Sequence, residues 1–325
     1  MLLFADALDW PNLTQIAIDG LRNGLLFALI ALGYTMVYGI VELINFAHGD
    51  LFMLGCCLTL TVVSIFADPK VVEALGITPV WLQIAVCLMV VPVFCACLNF
   101  GVDRVIYKPL RNAPKLAPLV SAIGVSFIFM MFGLFWEGPQ DVNFPNLLPT
   151  DNVFAKQSFL GAGPAEKVIL TWKTIVVVGV TLPLMIALTY FVKFTSLGKA
   201  MRATAQNPTA ARLMGINTDR VIGVTFIIGG TLAGFGSVIY GLTINTVSYQ
   251  MGFQNGLYAF TAAVLGGIGN IPGAVLGGLL IGMVRAIGSS FIGETWTPAL
   301  VFAVLIVVLV FRPAGLLGAR VREKV

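Results

Sequence analysis

The sequence predicts an all-α, polytopic helical membrane bundle of about eight to ten helices, some of them discontinuous, and three observations carry that expectation. First, 58% of the 325 residues are hydrophobic and only 10% are charged, against about a quarter charged in soluble domains. Second, several uncharged runs follow one another, each near the roughly 20 residues of helix that a ~30 Å hydrocarbon core requires. A peripheral or single-anchor protein is thereby excluded. Third, the runs are continuously apolar, without the two-residue alternation of a barrel strand, and in lipid only helices and closed barrels satisfy their own backbone groups. The chain is read as one transmembrane domain over residues 1–325.

The uncharged runs cover residues 23–41, 51–67, 74–102, 116–136, 174–192, 221–284 and 295–311. The first is read as a retained helix, because Asp6, Asp9 and Asp19 stand where a cleavable signal requires lysine and an apolar core. Between the first and second runs, Glu42, Asn45, His48 and Asp50 interrupt apolar sequence where ionisable groups need a cavity or a partner. This stretch reads either as an interfacial turn with Asp50 starting the next helix, or as a broken helix beside a translocation route. The sixth run is too long for one helix. It is expected to break around 243–255 and again at 266–273, GGIGNIPG, giving one full span and two shorter pieces. Gly230 with Gly234, Gly273 with Gly277, and Gly278 with Gly282 are four apart, which clears one helix face for close packing. Adjacent glycines and Pro272 in GGIGNIPG should unwind the helix, so that backbone amides near Gly269 and Asn270 line a pathway.

Positive charge sets the orientation, since short loops rich in lysine and arginine stay cytoplasmic. Residues 101–115 carry Arg104, Lys108, Arg111 and Lys115; residues 193–220 carry Lys193, Lys199, Arg202, Arg212 and Arg220; the C-terminal segment carries Arg312, Arg320, Arg322 and Lys324. All three should face the cytoplasm. The loop 137–167 holds Glu137, Asp141, Asp151 and Glu166 against Lys156 and Lys167, and should lie outside. Backward counting gives an external N-terminus if every run crosses fully; Arg22 and the interruption at 42–50 leave that side open. The net charge of +4, confined to loops, suggests no nucleic-acid partner. Cys56, Cys57, Cys87, Cys95 and Cys97 all fall in apolar runs and are read as packing residues.

The loop 193–220 is too ordered in its signals to be a simple linker. Asn207 is a good N-cap, Pro208 fits the first helical position and Gly215 suits the left-handed residue after a helix end. A short helix over 208–214 follows. Ala210, Ala211, Arg212, Leu213 and Met214 are expected on its surface, either as a small apolar knob for a groove on a soluble partner or as a connector lying on membrane lipid. His48 is the only histidine, which excludes a two-histidine metal site or relay within the chain. The sequence has no GxxxxGK[ST] phosphate loop, no HExxH and no convergent set of titratable groups, so the chain is not read as an enzyme. An ion-coupled secondary carrier or channel is the competing class; it should place charges mid-span, yet residues 221–284 contain none.

Four motifs extend the reading: ALGYTMVYGIVELINFAHGD (31–50), SLGKAMRATAQNPTAARLMGINTDRVI (196–222), AVLGGIGNIPGAVLGGLLIG (263–282) and FRPAGLLG (311–318). Through them the chain resembles the membrane subunits of branched-chain amino-acid ABC importers, in particular the smaller permease of the pair, along nearly its whole length and in the family's order. The resemblance implies a multi-pass permease of the prokaryotic inner membrane, without cofactors. Its partners would be a second homologous permease, two cytoplasmic ATPase subunits that hydrolyse the ATP, an external substrate-binding protein and a small amino-acid substrate. It also implies an ATPase contact over 207–215, made by Asn207, Pro208, Ala211, Arg212, Leu213, Met214 and Gly215. The pathway candidates are Glu42, Asn45, His48, Thr243, Asn245, Gly269 and Asn270. Relatives that carry urea or short amides share the motifs less closely. Glu42 stands where relatives have uncharged residues and puts a direct transfer of substrate range in doubt.

Overall fold

The computed structural model of the protein describes residues 10–41, 43–67, 80–111, 113–114, 116–153 and 168–318. The helices are α1 (Trp10–Val41), α2 (Ala47–Ala67), α3 (Val80–Val102), α4 (Leu116–Glu137), α5 (Trp172–Phe194), α6 (Ser196–Gln206), α7 (Pro208–Leu213), α8 (Thr218–Ile244), α9 (Met251–Gly266), α10 (Ile271–Phe291) and α11 (Thr297–Phe311). A π-helical turn, Asp103–Tyr107, carries α3 on to Leu110. Two short strands, β1 (Val142–Asn143) and β2 (Thr246–Val247), pair antiparallel. Among the described residues, seven helices are long and apolar enough to cross a membrane, and α11 is a shorter apolar helix. With the 16-residue α9 they form the helical membrane bundle expected.

A helix that is apolar all round must be buried, and α1 obeys this: every residue from Gly24 to Val37 is buried. Around it lie α8, α9 and α10, with α3 on α8 and α2 between α8 and α4. The outer helices α4 and α5 turn Val120, Phe127, Phe132, Phe135, Ile186 and Tyr190 outward, as side chains facing lipid should be. The glycine spacings do pack helices closely. A Cβ on Gly278 would lie 2.5 Å from the Cα of Ala28 in α1, and one on Gly230 would lie 2.5 Å from the carbonyl oxygen of Cys95 in α3.

The ends of the helices sort by charge. Arg111 pairs with Asp219, which joins the first two basic segments, and the C-terminal residues Leu316 and Leu317 bond to Leu265 and Gly266 beside Gly39 and Gly269. At the opposite end, the Ile169 amide donates to Gln15 Oε1 at 3.0 Å, so the start of α1 shares its side with the acidic loop. An external N-terminus follows once the basic segments are inside. Lys115, Lys156, Glu166, Lys167, Arg320, Arg322 and Lys324, like Glu42, lie outside the described residues.

One expectation is corrected. The sixth run does not yield two short pieces after its first break: α10 is a full span of 21 residues, continuing past Arg285, where the uncharged run ends. The guanidinium is accommodated there because it lies over the rings of Phe27 and Tyr258, 5.6 and 5.3 Å from their centroids, and reaches Glu294 at 3.0 Å. Cys56, Cys57, Cys87 and Cys95 are buried, whereas Cys97, on another face of α3, is exposed.

Candidate functional site

The basic segment 193–220 is a relay of three capped helices. Thr195 Oγ1 accepts from the Gly198 amide at 3.0 Å, Asn207 Oδ1 from the Ala210 amide at 3.0 Å, and Asn217 Oδ1 from the Arg220 amide at 3.0 Å. Each cap satisfies an orphan donor of a new helix start. Pro208 opens α7 with its fixed φ, and Met214 closes it. Gly215 then adopts φ +82°; its amide donates to Arg212 and the Ile216 amide to Ala211, both at 3.0 Å. This pair of bonds is a Schellman motif, whose left-handed position glycine fills without strain. Leu213 and Met214 are 85% and 83% exposed. Ala211, expected on the surface, is buried instead, because the motif sets it against Ile216 and α7 folds back on α6. Arg212 is turned along the loop, its Nε donating to Thr218 Oγ1 at 2.8 Å.

The break after α1 is a helix start that lies in the interior of the bundle. Asp50 lies in the first turn of α2, where a carboxylate suits the helix dipole. Yet the segment is interior: Asn45, His48 and Asp50 are all buried. Asn45 Nδ2 donates to Asn99 Oδ1 at 3.4 Å, and Asn99 Nδ2 to the Phe226 carbonyl at 2.7 Å, tying the break to α3 and α8. The Tyr107 hydroxyl adds a bond to the Ile44 carbonyl at 3.4 Å. Ser126 donates to Asp50 from α4, Gly252 at the start of α9 adjoins the same carboxylate, and the His48 ring meets Tyr34 edge-on at 4.7 Å.

The two breaks meet. A narrow cleft of only about 10 Å³ is lined by Ile44 and Asn45 from the first, Ile268 from the second, and Tyr34, Tyr38, Phe260 and Ala263. Gly269, at φ +88°, packs against Gly39. Asn270 is turned away: its Oδ1 caps α10 and its Nδ2 donates to the Leu317 carbonyl at 2.7 Å. The polar groups of this unwound turn are thus taken up largely by the C-terminal segment. Thr243 and Asn245 are not brought to the cleft. They lie at the far end of α8, about 26 Å along the helix from Phe226 at 1.5 Å per residue. There Asn245, left-handed at φ +61°, accepts from Lys173 Nζ at 2.7 Å and bonds Asn146, while Thr243 Oγ1 returns to the Ile239 carbonyl.

Asn99 is a residue that sequence reasoning overlooked, although it is the one amide in the apolar stretch 84–102. Ser126 with Asp50, and Arg111 with Asp219, were hidden because these partners are 76 and 108 positions apart in sequence.

Interior polar breaks, glycine-packed spans and a rigid knob at one end define a multi-pass membrane permease. A sequence model described as "Branched-chain amino acid transport system / permease component" matches residues 16–310. The chain belongs to that family. It is 38% identical over 311 residues to the high-affinity branched-chain amino acid transport system permease protein BraD of Pseudomonas aeruginosa, covering 96% of this chain and 97% of the relative. Identity is again 38% over 311 residues, with the same coverage, to LivH of Escherichia coli, which bears the same description. A probable branched-chain amino acid transport permease of Methanocaldococcus jannaschii is 28% identical over 307 residues, 90% of this chain and 89% of that one. No solved structure matches.

Proposed function

We propose that this chain is the permease subunit of an ATP-driven importer of branched-chain amino acids, coupled through 207–215 to two cytoplasmic ATPases and paired with a second homologous permease. An external binding protein delivers the amino acid. Support comes from the similarity to BraD and LivH over nearly the full chain. The observation that carries the coupling role is α7: a helix capped at both ends, presenting Leu213 and Met214 to solvent at the basic end of the bundle. Apolar side chains so exposed on a rigid element suit a pocket on a soluble partner.

Within the membrane, Asn45 faces the cleft where the breaks meet and offers a weak polar step for a zwitterion. Thr243 and Asn245, near Lys173, belong to the outer mouth of the route. His48, Gly269 and Asn270 shape the breaks from behind. Tight recognition is left to the binding protein, since a ligand held strongly in transit must lose the same free energy on leaving.

The test is reconstitution in proteoliposomes with both ATPases, the second permease and the binding protein, assaying uptake of leucine, aromatic amino acids, urea and short amides. Import of leucine that requires ATP inside and the binding protein outside supports the reading. Uptake of urea or amides in preference to leucine, or uptake independent of ATP, refutes it.

A further inference from the structure

An ion cluster joins the segment beside α7 to the body of the bundle, and neither the cleft nor the caps require it. Arg111, 13% exposed, reaches Asp103 Oδ1 at 2.8 Å with Nη2 and contacts Asp219 Oδ1 with Nη1. Asp103 is fully buried and begins the π-helical turn of α3, while Asp219 stands in the first turn of α8. Lys108 adds a looser approach to Asp219 at 4.0 Å. Asp219 directly follows Thr218, the residue that Arg212 of α7 grips.

We infer that Arg111 is a positioning residue for energy coupling: it fastens the start of α8 to α3, so that a displacement received at α7 moves the α3–α8 pair as one body. Three features support this. A guanidinium is the side chain suited to bridge two carboxylates in fixed geometry, which a lysine ammonium does only in part. Buried Asp103 depends on that cation, since an uncompensated buried charge is strongly unfavourable. The π-turn is a local irregularity of the kind that recurs at functional places in helices, and here it aims Asp103 at Arg111. Beyond the bond from Asn99 to the Phe226 carbonyl, the α3–α8 contact is glycine-lined at Gly230 and Gly234, and the Arg111 cluster adds a charged link where the two helices end on the basic side.

The inference rests on the reading of 207–215 as the ATPase contact, and the test separates the two. In the reconstituted importer, a cysteine at position 213 (Leu213→Cys) is cross-linked to the ATPase, and cargo imported per ATP hydrolysed is measured for Arg111→Ala, Arg111→Lys, Asp219→Asn and the double variant Arg111→Ala with Asp219→Asn. Arg111→Ala and Asp219→Asn should each keep the cross-link and ATP hydrolysis while cargo per ATP falls about tenfold. The double variant should fall no further, as members of one interaction do, and Arg111→Lys should recover part of the loss. Asp219, nearly half exposed, serves as the test should Arg111→Ala fail to assemble. Parental coupling in Arg111→Ala or Asp219→Asn with the cross-link intact, or strictly additive losses, overturns the positioning role and leaves the docking reading standing. Loss of the cross-link in the parent refutes the docking reading, and the inference with it.

Discussion

Substitution of Gly215 isolates the geometry of the docking helix from every other contact. Its φ of +82° lies in the left-handed region, and a Cβ built there meets nothing within 4 Å. Any effect of a larger side chain is therefore backbone strain, not collision. The left-handed conformation costs an ordinary L-residue roughly 1–2 kcal/mol, which shifts a two-state population by a factor of about 5–30. Asparagine visits the same region readily and should cost only a few tenths of that factor on a logarithmic scale. The expected order of coupling is thus Gly215 near Gly215→Asn, then Gly215→Ala, then Gly215→Val, where branching at Cβ adds to the strain. Cargo imported per ATP in proteoliposomes reads the functional side. Hydrogen exchange at the Gly215 and Ile216 amides, which close the Schellman motif on Arg212 and Ala211, reads the structural side. Both should move together. Equal behaviour of the Asn, Ala and Val variants would refute the claim that helix-end geometry carries the coupling.

Gly278→Val should destabilise the bundle: the added Cβ lies 2.5 Å from Ala28 Cα, where ordinary contact begins near 3.4 Å, so α1 and α10 must part at a cost of about 1–3 kcal/mol. Gly124→Ala, with nothing within 4 Å, is the matched control, and steric-trap unfolding in bicelles should separate the two. Asn99→Ala strips the Phe226 carbonyl and the Asn45 amide of a buried partner; a loss of about 1–3 kcal/mol should appear as a lowered melting temperature, and an unchanged one would remove Asn99 from the interior network. Isothermal calorimetry of the permease complex with free leucine should detect no binding at micromolar concentration, because the cleft has a volume of only about 10 Å³, far below the roughly 300–1,000 Å³ of ligand pockets. A micromolar dissociation constant would point to a true selectivity site.

The sequence was most informative where the physics is local. Spans were legible because lipid tolerates only self-satisfied helix, and the caps at Asn207 and Gly215 because each acts within three or four residues. Other features depended on partners elsewhere in the chain. Arg285 ended an uncharged run yet sits within a span, since Phe27, Tyr258 and Glu294 receive it. Arg111 read only as a topological charge, because its carboxylate partner Asp219 lies 108 positions away. Ala211 read as exposed because six residues are too few to show which face of a helix is covered. Asn45 and Asn245 looked alike in composition, and only the length of α8 places them apart.

The packing also indicates how displacement at α7 would reach the cleft. Close-packed helices move as bodies, not as deformable strings. Glycine contacts are tightest between α3 and α8, at Gly230 and Gly234, and between α1 and α10, at Gly24 and Gly278, and looser between α1 and α8, where a Cβ on Gly229 would lie 3.2 Å from Val37 Cγ2. The wall of the cleft is divided between these bodies: Tyr34 and Tyr38 belong to α1 and Phe260 to α9, whereas Ile44 and Asn45 are tied to α3 by Tyr107 and Asn99. Asp219 and Phe226 lie on one helix, about 10 Å apart at 1.5 Å per residue, so motion at the Arg111 cluster is delivered to Asn99 without bending. A shift of the α3–α8 pair against α1–α10 should therefore draw Ile44 and Asn45 from Tyr34 and Phe260 and widen the cleft, with no helix unwound. Spin labels at positions 44 and 260 of the assembled importer should separate when ATP binds, while labels at 21 and 287, exposed on α1 and α10, keep their distance. A constant 44–260 distance, or equal changes in both pairs, would refute this division of the bundle.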